Sequence, residues 1–265
     1  MFKEDTVVRK LLQFTTGLVA ILALFIIVSP SHAGLDDKSL VLYLSFDEGK
    51  GDTAKDSSTY GHDGDLIANP AWVDGQFGGK ALEFDGTKGT HVKVPINDTL
   101  QLREQFSVAF WVKRGATQIS EWNYMVSAGE LVWATIFNNK DKKTWFWSKD
   151  PNWSSEITSG EDQPEDWVHI TVTHDTKSDA IMYYNGKKAG TGNNPAQTIE
   201  IGGSIMVGAR HPGKEFFTGT IDEVYLFNRI LTEDEINTIK DGEFSPVEPA
   251  EKLTTTWAVI KRDRY

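Results

Sequence analysis

The chain has 265 residues, with 27 Lys and Arg against 38 Asp and Glu, a net charge of −11, and no cysteine. The acid excess argues against a nucleic-acid role, which needs clustered Lys and Arg to neutralise phosphates. Without cysteine there is no disulfide, no thiolate metal site and no lipidated cysteine anchor, so packing, and a metal if one binds, must supply the stability.

Residues 1–33 read as an export leader. Lys3, Arg9 and Lys10 precede the apolar run Leu11–Val28, and Ser31-His32-Ala33 supplies small residues two apart, the A-x-A-like pattern of a cleavage site. The apolar run is also about long enough to span a bilayer, so the rival reading is an uncleaved anchor, the only membrane contact expected. Cleavage after Ala33 places the protein as secreted, periplasmic or at the cell surface. The remaining chain is ordinary in length for one all-β domain.

Leu40–Phe46 reads as a strand, and Asp47–Gly64, rich in Gly, Asp and Ser, as a loop. Ala81–Phe84 and His91–Val94 are short strands joined by the turn Asp85–Gly89. Phe106–Lys113 alternates cleanly. Tyr124–Ser127, Leu131–Phe137 and Thr144–Lys149 form a meander. Trp167–His174, Ala180–Tyr184 and Lys187–Ala189 follow, with Asn185-Gly186 as a hairpin turn. Ile205–Gly208 and Phe216–Phe227 complete the strands. In the last of these, Ile221, Glu223, Tyr225 and Phe227 alternate with Asp222, Val224 and Leu226. Thr232 then stands three residues before Glu235, the spacing of a capping box, and opens a helix over Glu233–Lys240. Many short strands and one short helix describe a sandwich or barrel. Residues 244–265 contain a Pro-containing acidic linker and the tail Leu253–Tyr265, which reads equally as an extra strand, an attachment element or disorder.

Six segments together resemble the LamG-like jelly-roll family of the concanavalin A-like lectin/glucanase fold. They are Leu44–Gly51 with Asp56-Ser57-Ser58, Gly79–Gly86, Phe106–Val112, Trp167–Asp175, Tyr183–Lys187 and Gly219–Val224 onward. Each is weak alone; their order and their spread over residues 40–242 carry the signal. The resemblance implies an all-β, two-sheet antiparallel jelly-roll sandwich with one short C-terminal helix, occupying residues 34–243. It also implies a structural calcium near one edge and a role as a sugar-binding or adhesion module.

The acids that suit such a cation are Asp47, ending the first strand, Asp85 in a Phe-Asp-Gly turn, and Asp222 in the last strand, because first and last strands of a jelly roll pair. Asp85 reads equally as a turn residue. Neighbouring Glu223 reads equally as a partner for backbone amides or for Arg229.

For sugar, aromatic faces beside polar groups are the relevant chemistry, and Trp122, Tyr124, Trp145, Trp147 and Trp153 crowd into residues 122–153. Trp145 and Trp147 share one face of their strand and Phe146 the other. The reading favoured for this strand gives the tryptophan pair to the core and Phe146 to solvent. Trp122 and Trp153 sit in loop-like settings that favour exposure. Trp111 and Trp167 fall at family core positions and read as structural.

Hydrolysis finds no support. The carboxylate array of glucanases on this fold is missing, and strand alternation sends the adjacent Asp222 and Glu223 to opposite faces. The function expected is non-catalytic recognition of an extracellular or cell-surface glycan. The alternatives are a scaffold that binds an envelope protein and, less favoured, a divergent glycoside hydrolase or lyase.

Overall fold

The computed structural model describes residues 37–130, 132–149, 155–192, 200–210 and 212–244. The expected leader, Trp153 and the tail after Phe244 lie outside the described residues. Among the described residues no helix is long and apolar enough to cross a membrane.

Two antiparallel eight-stranded sheets form the molecule. The first contains β1 (Leu40–Leu44), β4 (Ala71–Asp74), β5 (Lys80–Phe84), β7 (Gln105–Arg114), β12 (Val168–Asp175), β13 (Ile181–Tyr184), β14 (Lys187–Thr191) and β16 (Gly219–Phe227). Its order is β14-β13-β12-β7-β16-β5-β4, and β1 also pairs with β16. The second contains β2 (Thr53–Ala54), β3 (Gly64–Ile67), β6 (His91–Pro95), β8 (Trp122–Ala128), β9 (Trp133–Asn138), β10 (Thr144–Ser148), β11 (Ser155–Thr158) and β15 (Ser204–Val207), in the order β11-β10-β9-β8-β15-β6-β3-β2. This is a jelly-roll sandwich. The Asp85–Gly89 turn carries the chain from one sheet to the other, since β5 and β6 belong to different sheets.

Between the sheets lies the main core, in which Phe106 is a hub. Its ring centroid is 5.3 Å from Trp133, 6.3 Å from Phe146 and 4.6 Å from His174, and all four side chains are wholly buried. A second apolar cluster covers the outer face of the first sheet. There Leu40, Tyr43, Tyr225 and Phe227 meet Ile236 and Ile239 of the helix α1 (Glu233–Lys240) and Phe244. The helix starts where the sequence places it: Thr232 and Glu235 close a capping box from both sides. Arg229 ties it to the segment just before the first strand, bonding Asp37 and Glu235 at 2.8 Å each. Asn185 and Gly186 at φ 47° and 77° make the tight turn joining β13 and β14, where only residues tolerant of positive φ fit.

One irregularity positions chemistry. Glu223 has φ 55°, and the β16–β7 register shifts between Asp222 and Tyr225. This β-bulge inserts a residue into the alternation. Asp222, opposite Trp111, and Tyr225, opposite Ala109, therefore both point outward. Glu223 joins them, bonding the Tyr225 hydroxyl, while Val224 and Leu226 enter the core. The expectation that Asp222 and Glu223 face opposite ways is corrected: simple alternation fails where the extra residue sits.

Candidate functional sites

The outer face of the second sheet carries the aromatic crowd. Phe146 is fully buried in the main core, so alternation turns Trp145 and Trp147 outward, reversing the favoured sequence reading. Phe146 fills the interior beside Phe106 and His174, at ring-centroid distances of 6.3 Å and 6.4 Å, and on the outer face Trp145 Nε1 donates to Asp141 Oδ2 at 2.9 Å.

Trp122 opens strand β8 rather than occupying a loop. It stands edge-on to Trp145 at 5.5 Å and tilted against Trp147 at 4.9 Å, and all three indoles are half-buried. Tyr124, expected to be a contact residue, is only 1 % exposed. It forms part of the floor instead, 6.4 Å from Trp147 and 5.8 Å from the Arg210 guanidinium, which Glu215 pairs at 2.8 Å. The edge strand adds Glu156 opposite Trp147 and Thr158 opposite Trp145. The result is a bent patch of three indole rings rimmed by carboxylates and a hydroxyl.

A second place is acidic. Asp47, Asp222 and Glu223 line one cavity of about 300 Å³ with Gly79, Gly242, Phe77 and Tyr225. Pairing of β1 with β16 brings Asp47 and Asp222 together. Asp85 is not among its lining residues. Its own turn engages it, with Oδ1 accepting from the Thr87 N–H at 2.9 Å and from the Thr87 hydroxyl at 2.6 Å, and Lys88 3.1 Å from Oδ2. These bonds hold its pKa down at about 2. Glu223 Oε2 accepts from the Tyr43 and Tyr225 hydroxyls, each at 2.7 Å, so neither backbone amides nor Arg229 is its partner.

Asp222 differs from its neighbours. Oδ2 accepts from Gln76 N–H at 2.9 Å, while Oδ1 is buried with no hydrogen-bond partner. Burial, reinforced by Glu223 and Asp47, pushes its pKa up to about 8. An uncompensated buried carboxylate is costly, and sites that impose such a cost are functional candidates. The fit to a metal is partial: among the described residues no three His, Asp or Glu side chains form a metal-holding group.

Trp111 and Trp167 are not inter-sheet core residues. Trp111 pairs with Asp222 on one side and His169 on the other, all on the outer face of the first sheet. Sequence reasoning also missed Phe77. Its signal was a single phenylalanine in the polar stretch Asp74–Lys80, which one-dimensional patterns cannot place.

Known proteins agree with this architecture. A family model described as the concanavalin A-like lectin/glucanases superfamily matches residues 85–237. Among curated proteins, no sequence matches the chain. Similar solved structures include the binding domain of a paraclostridial mosquitocidal protein, with TM-score 0.64 and 19 % identity, covering 80 % of this chain and 53 % of that one. Domain 4 of the extracellular GH43 arabinanase of Geobacillus stearothermophilus, in complex with arabinotriose, matches with TM-score 0.61 and 22 % identity, covering 76 % and 98 %. The botulinum neurotoxin serotype D ligand-binding domain, in complex with N-acetylneuraminic acid, matches with TM-score 0.60 and 17 % identity, covering 77 % and 51 %. The chain thus spans about half the length of the toxin domains and nearly all of the arabinanase domain.

Proposed function

Because this chain belongs to the concanavalin A-like lectin/glucanase superfamily, whose shared sandwich does not fix a function, we propose from its own surface that it is a non-catalytic glycan-binding module. The observation that carries this is the cluster of Trp122, Trp145 and Trp147 on the outer face of the second sheet. Indole faces take the apolar C–H face of a sugar ring, and neighbouring Asp141, Glu156 and Thr158 offer acceptors and a donor for hydroxyls. The arabinotriose and N-acetylneuraminic acid held by two similar structures support the ligand class. The leader expected over residues 1–33 would bring the module to extracellular or cell-surface glycans.

Replacing Trp122 and Trp145 together with alanine is expected to weaken glycan binding by at least about 30-fold, the loss of a single central aromatic anchor worth on the order of 2 kcal/mol. The melting temperature should move by only a few degrees. A glycan array probed with the wild-type and variant full-length chains checks this. Equal binding by both would remove the indole patch as the site, and capture of an envelope protein without any glycan signal would favour the scaffold reading.

A structural calcium is part of the same proposal. The donor set suits a hard cation: the unpartnered Asp222 Oδ1 and the Asp47 carboxylate converge on one small cavity, and carbonyl and water oxygens commonly complete such a shell. Bound calcium would neutralise these acids and hold the 75–79 loop and the first strand against β16. At 100 times its Kd, calcium contributes about 2.7 kcal/mol, or about 5–10 °C in a domain of this size. EDTA is therefore expected to lower the melting temperature by that amount, and an unchanged melting curve would dismiss the metal.

A further inference from the structure

We propose a second saccharide-binding site, on the opposite side of the molecule from the indole patch, in a cleft of about 520 Å³ between Phe77, Trp111, Trp167 and the C-terminal end of α1. Its volume falls within the roughly 300–1,000 Å³ of ligand clefts. The cleft lies on the outer face of the first sheet, and nothing in the glycan reading of the second sheet requires it.

The argument begins with an unmet donor. Trp111 is 7 % exposed, and its Nε1, shielded from water, has no hydrogen-bond partner. A buried N–H without an acceptor is costly to keep, and an indole nitrogen can only donate. The side chain beside it is Phe77, edge-on at 5.8 Å and 46 % exposed, an unusual placement for a phenylalanine on a polar loop. A ligand that displaces the exposed Phe77 ring would uncover the Trp111 N–H, bring it an oxygen acceptor and gain an aromatic wall from Trp167, which is half-buried.

The charges around the cleft select the ligand class. Lys240 is ion-paired to the adjacent Asp241, and Asp166 is exposed at the rim, so an anion meets no uncommitted positive charge there. A cation would suit the acids and the aromatic faces but would leave the Trp111 N–H without an acceptor. A neutral sugar ring meets every requirement. One hydroxyl oxygen accepts from Trp111 N–H, another hydroxyl O–H donates to the Asp166 carboxylate, and its C–H face lies on Trp167 or Phe77. Asn185 is fixed for this purpose: its Oδ1 accepts from His169 N–H at 2.9 Å, which orients the amide at the cleft wall.

The full-length chain labelled with ¹⁵N at its 9 tryptophans gives indole N–H signals that separate the two sites. Trp111→Phe identifies the Trp111 signal. The probes are glucose, galactose, mannose, arabinose and N-acetylglucosamine, with tetramethylammonium as the cationic control. For at least one sugar, the Trp111 and Trp167 signals are expected to move together along one saturation curve. Trp111→Phe, which keeps an aromatic ring and removes the indole donor, should weaken that sugar by about 10-fold.

If sugars move only the signals of Trp122, Trp145 and Trp147, the cleft proposal is overturned while the indole patch stands. If Trp111 and Trp167 respond while the other three do not, the cleft stands and the patch falls. A response to tetramethylammonium alone, or none at all, overturns the cleft. Should Trp111→Phe fail to fold, Asp166→Ala at the exposed rim takes its place, with several-fold weaker binding expected and unchanged binding counting against the site.

Discussion

In metal-free protein, Asp222→Asn is expected to raise stability at pH 8 by up to about 5 kcal/mol, an upper bound from a shift of about four pKa units, and to leave it nearly unchanged at pH 4. The sign follows from proton counts. The unfolded carboxyl ionises near 3.8 and the folded one near 8. Between those values the folded state binds the extra proton, so stability falls as pH rises and levels off above 8. Asparagine stays neutral throughout and keeps an acceptor for Gln76 N–H. A residual slope belongs to Glu223, whose carboxyl burial also raises. Urea denaturation in EDTA across this range measures the effect; parallel wild-type and variant curves would mean that water or local relaxation already solvates Asp222. Calcium should narrow the gap at pH 8, stabilising the wild type by about 2.7 kcal/mol at 100 times its Kd and leaving Asp222→Asn unaffected, because only the wild type presents the second carboxylate.

Phe106→Ala is expected to cost about 3–5 kcal/mol, the usual range for deleting a fully buried phenylalanine. Its ring touches Trp133, Phe146 and His174 at once, so the space it leaves is bounded by rigid rings that cannot close in. Burial already holds His174 neutral, with its pKa down near 4. A smaller loss, near 1 kcal/mol, would show that the sandwich halves slide together to fill the gap. Phe106→Leu, which keeps most of the volume, should recover the greater part of the loss.

The longer strands and the capped helix were legible because each rests on local rules, and the jelly-roll class was legible from the six family-like segments taken together. Period-two runs such as Phe106–Lys113, the Asn185-Gly186 turn and the Thr232–Glu235 box all act within a few residues. The short strands β2, β3, β4 and β11 were not legible, since two to four residues give too little pattern and are held by their neighbours' backbones.

For the sites, the sequence by itself determined which residue types were available: an aromatic crowd around residues 122–147, and acids at both ends of the domain. Tertiary structure alone decided how they are used. Which face of Thr144–Ser148 is the core depends on Phe106 and His174 filling the interior from other strands, and that choice sent Trp145 and Trp147 to the surface. Whether Asp222 and Glu223 share a face depends on a bulge that one positive φ at Glu223 creates. Whether Asp85 or Asp47 stands beside Asp222 depends on the pairing of β1 with β16. Each of these is a long-range contact, and a local pattern carries no information about what arrives from the other side of the sandwich.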